Sequence, residues 1–274
     1  MGDSEGRSGR GPRPGGSRRR ARARLAAPSI SAALAGLAVG CEARPILLWH
    51  SVGERVDPPR FVTREAFAAQ LELVLAEGFT PVDAPTLDAI EDGRVPGPPR
   101  PIVLTFDDGY ENFYLHAYPE LRARGLAATM FLISDRVADT AEGRFVDARA
   151  RYLVWPEVRE MAAAGIDFQS HSVTHRNLKH LSDEELTREL VDSRAALERG
   201  LGRPVTVLAY PFGGNSPHTQ DVVAAAGYVS AHSVLAGLGG QYARLRTSIG
   251  GWTTTDGLRA ALRGSWFAEA SELR

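Results

Sequence analysis

Ile102-Val103-Leu104-Thr105-Phe106-Asp107-Asp108-Gly109 is an apolar run that stops at two carboxylates and a glycine. Five β-favouring residues without polar alternation read as a strand buried on both faces, which belongs to a parallel sheet covered by helices. Outward from it the same grammar repeats. Upstream lie the apolar run 46–49 ending at His50, then a helix over 64–77 with Thr63 as its cap and Gly78 as its stop. A strand over 79–82, a short helix near 86–92 and a stiff proline-rich linker at 95–101 lead into the deciding strand. Downstream, strands are predicted at 127–133, 166–170, 205–210, 228–234 and 244–249. Helices are predicted near 118–124, 156–164, 182–199, 219–226 and 255–263, the third opened by a Ser182/Glu185 capping box. Strand–helix alternation over this length predicts one α/β domain, a deformed (β/α) barrel of about seven strands within residues 42–274.

Composition narrows the field. The 274 residues are 43% hydrophobic and 24% charged, too apolar for disorder throughout. A single cysteine, Cys41, excludes a disulfide framework and a thiolate-cluster metal site. The net charge of −1 gives no basic field, so no nucleic acid is expected as a partner. That charge is segregated: residues 1–24 carry eight Arg against Asp3 and Glu5, leaving the remainder mildly acidic. Residues 1–24 read as a disordered Arg-rich terminus. Residues 25–41 read as an apolar, signal-like or lipoprotein-like segment ending in Gly40-Cys41. No uninterrupted apolar run reaches the roughly 18 residues of a membrane span, so membrane contact is expected only through an N-terminal anchor. An exported or lipid-anchored envelope protein and a cytoplasmic one stay equally open, as does the oligomeric state.

In a parallel barrel, functional groups sit where strands end. Asp107 and Asp108 sit at one such end, and His171-Ser172-Val173-Thr174-His175 at another. Asp-Asp-Gly by itself is an ordinary turn signal. Adjacent carboxylates repel, however, and are costly at a buried strand end unless a cation or proton separates their roles. Two His four residues apart can present both imidazoles to one ion, and two His with one carboxylate make an open site for a divalent metal. The spare carboxylate can then act as general base on a water.

Thr105-Phe106-Asp107-Asp108-Gly109-Tyr110 and Ser170-His171-Ser172-Val173-Thr174-His175 resemble the first two motifs of the polysaccharide deacetylases, the carbohydrate esterases with a NodB-homology domain. The spacing between the motifs, with Trp155-Pro156 leading to Gly165, fits as well. The resemblance implies a hydrolase acting on linear amide bonds, with Asp107 as general base. It implies Asp108, His171 and His175 as ligands of a divalent metal, usually zinc, and an N-acetylated glycan as substrate. Tyr210-Pro211-Phe212-Gly213 resembles the third motif, which makes Tyr210, Pro211 and the Phe212 backbone amide, with Tyr110, candidate oxyanion or substrate contacts.

Two departures stand out. Many members carry an Arg two residues before the Pro of the third motif, where this chain has Ala209; Arg246 is a candidate substitute for orienting the base. The late Leu-x-His motif that supplies a general acid is missing after Ile249. Leu48-Trp49-His50-Ser51-Val52 instead resembles the Tyr-His-x-Val segment of the biofilm-type deacetylases of β-1,6-linked N-acetylglucosamine polymers, which implies His50 as general acid. His232, inside an apolar strand, reads as a satisfied core histidine. Two other functions stay open: hydrolysis of a small amide or cyclic imide, and carbohydrate binding without turnover.

Overall fold

The computed structural model describes residues 44–53, 60–148, 150–236 and 238–264. The expectations for residues 1–24 and 25–41 therefore lie outside the described residues. In chain order the elements are β1 (Ile46–Trp49), β2 (Ser51–Val52), β3 (Phe61–Val62), α1 (Arg64–Ala76), β4 (Thr80–Val82), α2 (Ala84–Glu91) and β5 (Pro101–Phe106). A π-helical turn (Phe113–Ala117) leads into α3 (Tyr118–Ala123), followed by β6 (Ala128–Leu132), α4 (Trp155–Ala163), β7 (Ile166–Ser170) and α5 (Asp183–Leu201). The chain continues through β8 (Val207–Ala209), α6 (Pro217–Ala225), β9 (Ser230–Ser233), β10 (Arg244–Leu245), β11 (Thr247–Ser248) and α7 (Thr255–Leu262). No helix among the described residues is long and apolar enough to cross a membrane.

Eight parallel strands follow one another as β10-β9-β8-β7-β6-β5-β1-β11, a nearly closed α/β barrel. The predicted strand at 244–249 is divided: β10 pairs with β9, whereas β11 pairs with β1. One extended stretch thus changes partners midway and spans the gap, with the Arg246 amide donating to the Ser233 carbonyl at 2.8 Å. The reason is geometric. Closing a sheet on itself needs a stagger between first and last strands, which a short strand meets by splitting. The predicted strand at 205–210 is shorter than expected: at its start the Thr206 and Val207 amides donate to Gln169 Oε1, and at its end Pro211 has no amide to continue the ladder.

Side chains alternate between the lumen and the helix layer. Ile46, Val103, Phe131, Val207 and Ala209 form a small inner cluster with Ala84 and Leu87 of α2. By the same parity Thr105 and Asp107, Asp167, Gln169 and His171, Ser230 and His232, and Arg244 and Arg246 face inward. Helix α2 closes the end where strands begin: the Ala84 amide donates to Thr129 Oγ1, and Asp88 takes Ser230 Oγ and Arg244. The outer parity packs the main core. Trp49 stacks on Phe106 at 5.6 Å, and Phe67 and Phe113 meet Phe106 edge-on. Each such pair contributes about 0.5–1.5 kcal/mol beyond area burial. This cluster fixes β1 and β5, the strands that deliver His50 and the two aspartates.

Candidate active site

Neighbouring residues of a strand point to opposite faces, so Asp107 and Asp108 would diverge if β5 ran on. The strand instead stops. The Asp107 amide still donates to the Trp49 carbonyl, while Asp108 turns into the left-handed region at φ 73° and Gly109 follows at φ 78°. A Cβ on Gly109 would come within 2.7 Å of Leu132, so only glycine fits beside β6. The kink brings both carboxylates to one spot at the mouth of the lumen, each less than a tenth exposed.

Their partners differ. Arg246 grips Asp107 with two parallel bonds, Nη1 to Oδ1 at 2.6 Å and Nη2 to Oδ2 at 2.7 Å. Arg246 is itself buried. Burial pushes the Asp107 carboxyl up, but the Arg246 guanidinium, with His171 and His50, outweighs it and holds the group well below the usual carboxylate range. Asp108 has no arginine. Burial is opposed there by the three imidazoles of His50, His171 and His175, with a net lowering. Its Oδ1 is buried without a hydrogen-bonding partner among the described residues.

His171 ends β7, its amide bound to the Leu132 carbonyl. Its Nδ1 lies 2.8 Å from the Ala209 carbonyl, which can only accept; Nδ1 is therefore the donor and Nε2 presents a lone pair to the carboxylates. Nε2 of His171 lies 3.6 Å from Asp108 Oδ1, and Nε2 of His175 lies 3.3 Å from the same oxygen. Burial first, and the neighbouring His171, lower His175 to about 4, so its imidazole is neutral at physiological pH.

These three groups fit a divalent metal. Their ligand atoms all lie within 4.8 Å of one another. Bonds of about 2.0–2.1 Å in tetrahedral array require ligand atoms roughly 3.3 Å apart, close to the two separations seen here. The carboxylate oxygen left unpartnered is the one the ion would take, and the histidine tautomer is already set by an outer hydrogen bond.

The third motif forms a tight turn (Pro211–Gly213) in which Phe212 has φ 59° and a half-exposed side chain. Its ring lies over His175 at 4.7 Å between centroids. Asp108, Ser172, His175 and Phe212 are the non-glycine residues with positive φ among those described, and all four border this site. Each costs of order 1–3 kcal/mol, a concentration of strain that surrounding contacts must hold in place.

Not every sequence-predicted residue reaches the site with its side chain. Tyr210 is buried in the outer core and donates its hydroxyl to the Tyr242 carbonyl, so only its backbone borders the third-motif turn. Tyr110 is largely buried against Tyr152 at 5.2 Å, a wall of the site and not an open stacking face. Pro211 is buried. His50 is partly buried; burial is the largest effect and lowers its pKa, with Asp107 and Asp108 acting to raise it and Arg60 and Arg246 to lower it. His232 is fully buried but not satisfied: neither ring nitrogen has a hydrogen-bonding partner among the described residues, and the ring meets Phe131 edge-on.

Three contributors escaped the sequence reading. Thr105 donates to the Leu47 carbonyl and lies 3.5 Å from Arg246 Nη1. Ser172 Oγ accepts the His175 amide at 3.1 Å. Glu189, from α5, accepts from the loop between the two histidines. Its signal was a carboxylate on a helical stripe otherwise made of Leu186, Leu190, Ser193 and Leu197.

Fold and site together define a parallel α/β barrel with an Asp-His-His group and a second, arginine-held aspartate at the carboxyl ends of its strands. The chain belongs to the polysaccharide deacetylase family, whose model matches residues 94–231. It is 27% identical over 189 residues to YxkH of Bacillus subtilis strain 168, covering 67% of this chain and 62% of that protein. It is 30% identical over 132 residues to the poly-beta-1,6-N-acetyl-D-glucosamine N-deacetylase of Escherichia coli K12, covering 45% of this chain and 20% of that one. The chain thus spans less than two thirds of the length of these curated relatives. Among solved structures, the Streptococcus pyogenes deacetylase PplD in complex with acetate superposes with a TM-score of 0.69 at 26% identity, over 80% of this chain and 97% of that one. IcaB from Ammonifex degensii shares the fold, with a TM-score of 0.66 at 21% identity over 82% and 98%.

Proposed function

We propose that this protein is a metal-dependent hydrolase that removes N-acetyl groups from an N-acetylglucosamine-type glycan. The observation that carries the reading is the division of labour between adjacent carboxylates. Arg246 engages both oxygens of Asp107 and keeps it ionised, with Oδ2 still 3.7 Å from His171 Nε2, while Asp108 Oδ1 is left without a hydrogen bond among the described residues and faces both His171 and His175. The names of the Escherichia coli relative and of the acetate complex of the Streptococcus pyogenes deacetylase support the same substrate and product class.

Asp108, His171 and His175 would hold the ion, most simply Zn2+, which when bound supplies Lewis-acid polarisation of the acetyl carbonyl and acidifies water. The remaining work falls to the chain itself. Asp107 accepts a proton from water as the water oxygen attacks the acetyl carbon. Arg246 fixes the Asp107 carboxylate in orientation and in its charged state. The Phe212 amide donates to the carbonyl oxygen as negative charge grows there. His50 delivers a proton to the sugar nitrogen as the carbon–nitrogen bond breaks, releasing acetate and a free amine. Burial lowers the His50 pKa, whereas the neighbouring Asp107 and Asp108 carboxylates favour its imidazolium.

The test is acetate release by the zinc-loaded full chain from β-1,6- and β-1,4-linked N-acetylglucosamine oligomers. Asp107→Asn is expected to cut kcat by about 10²–10⁴-fold. Turnover of small amides or imides with no acetate from any glycan would overturn the substrate assignment. Glycan binding without turnover by the loaded wild type would overturn the enzyme assignment.

A further inference from the structure

Glu189 lies in the middle of α5, on the face that the helix buries, with Leu186, Leu190, Ser193 and Leu197. A carboxylate there is expensive unless paired or hydrogen-bonded. Glu189 is 6% exposed and forms no ion pair with any arginine or lysine among the described residues. It turns instead to the loop between the two histidines. Oε2 accepts the Val173 and Thr174 amides, each at 2.9 Å, and Oε1 accepts the Thr174 hydroxyl. Hydrogen bonds to an ionised acceptor are about twice as strong as neutral ones.

The loop needs such a clamp. Ser172 and His175 both occupy the left-handed region, which non-glycine residues avoid. Between them, the Val173 and Thr174 amides point at Glu189 and not at a carbonyl of the barrel. Further ties come from the Ser134 and Asp135 amides, which donate to the Ser172 and Val173 carbonyls, and from Ser172 Oγ. His171 is anchored independently through its bond to the Ala209 carbonyl. Among the described residues His175 has no such outer partner, and its position depends on the loop that precedes it.

We propose that Glu189 is the positioning residue for His175: its carboxylate holds the 172–175 loop in the strained conformation that aims this imidazole at Asp108 and His171. The proposal rests on the reading of Asp108, His171 and His175 as metal ligands.

The experiment is a zinc titration of the metal-stripped full chain beside three variants. Glu189→Ala is expected to weaken zinc binding by about 10–100-fold, the range typical of lost outer-shell support. Glu189→Gln, which keeps shape and one acceptor, is expected to lose less and to fold if the alanine variant does not. Leu190→Ala, on the same buried face, is expected to lower Tm while leaving zinc affinity within about threefold, because it touches no loop amide. Amide hydrogen exchange gives a second readout: Val173 and Thr174 should exchange faster in Glu189→Ala without metal. Folded Glu189 variants that bind zinc as the wild type does would overturn the positioning role. So would a loss of affinity in Leu190→Ala that follows its Tm. A wild type that takes up no zinc would overturn the ligand reading, and this proposal with it.

Discussion

At position 107 the decisive feature is the partner and not the aspartate. Replacing Arg246 by alanine would strand a buried carboxylate, which costs about 3–5 kcal/mol in comparable buried pairs. It would also free the base to rotate or to bind a proton. Arg246→Ala is expected to lower both Tm and kcat, the latter by about 10²-fold or more. Arg246→Lys, which keeps the charge but not the fork, should recover Tm more than kcat. Thermal melts and steady-state kinetics of the two variants separate these effects; equal recovery of both would contradict a role in orientation. The motif aspartates and histidines were legible because their type and spacing are dictated by the chemistry. Arg246 was visible only as a candidate, since nothing in Arg244-Leu245-Arg246 reveals that the strand divides there. Glu189 was legible only as a carboxylate on an apolar helical stripe, because its partners, the Val173 and Thr174 amides and the Thr174 hydroxyl, have no sequence signature.

At the scale of elements, two expectations follow from packing and burial. Gly200 lies in α5 against Trp155, where an added Cβ would meet the indole at 2.1 Å. Helix propensity alone would favour alanine by about 1 kcal/mol. Overpacking a buried ring costs about 1–3 kcal/mol, so Gly200→Ala is expected to destabilise on balance; a raised Tm would contradict the packing of α5 on α4. On β7, Asp167 faces the lumen, and burial raises its carboxyl to about 6 despite Arg203 and hydrogen bonds from Gln169 and Thr129. A folded-state pKa above the unfolded value of about 3.9 means the fold binds this proton more tightly. Its stabilising contribution is full below about 3.9 and is lost as pH rises through about 6. Asp167→Asn is therefore expected to stabilise the protein at pH 7.5, by up to about 3 kcal/mol, and to give little gain at pH 4. Denaturant titrations at the two pH values check this. Strands and helices themselves were readable from their caps and apolar runs: Thr63 and Ser182 cap α1 and α5 as expected. The polar lumen residues of β7 were not, since Asp167 and Gln169 alternate with Ile166 and Phe168 in a pattern that equally suits a surface strand.

At the scale of the whole molecule, the barrel and the site are one construction. The stretch 244–248 that closes the barrel also carries Arg246 inward to the base, so closure and the ionised state of Asp107 depend on each other. Alternation of strands and helices was enough to predict a barrel; how it closes depended on hydrogen bonds between its first and last strands, which no local pattern encodes. The account stands or falls on the ion. Calorimetric titration of zinc into the metal-stripped full chain, beside His171→Ala, tests it without any assumption about substrate. The account predicts one tight site in the wild type and its loss in the variant, with both proteins folded. A folded wild type that binds no zinc would contradict it.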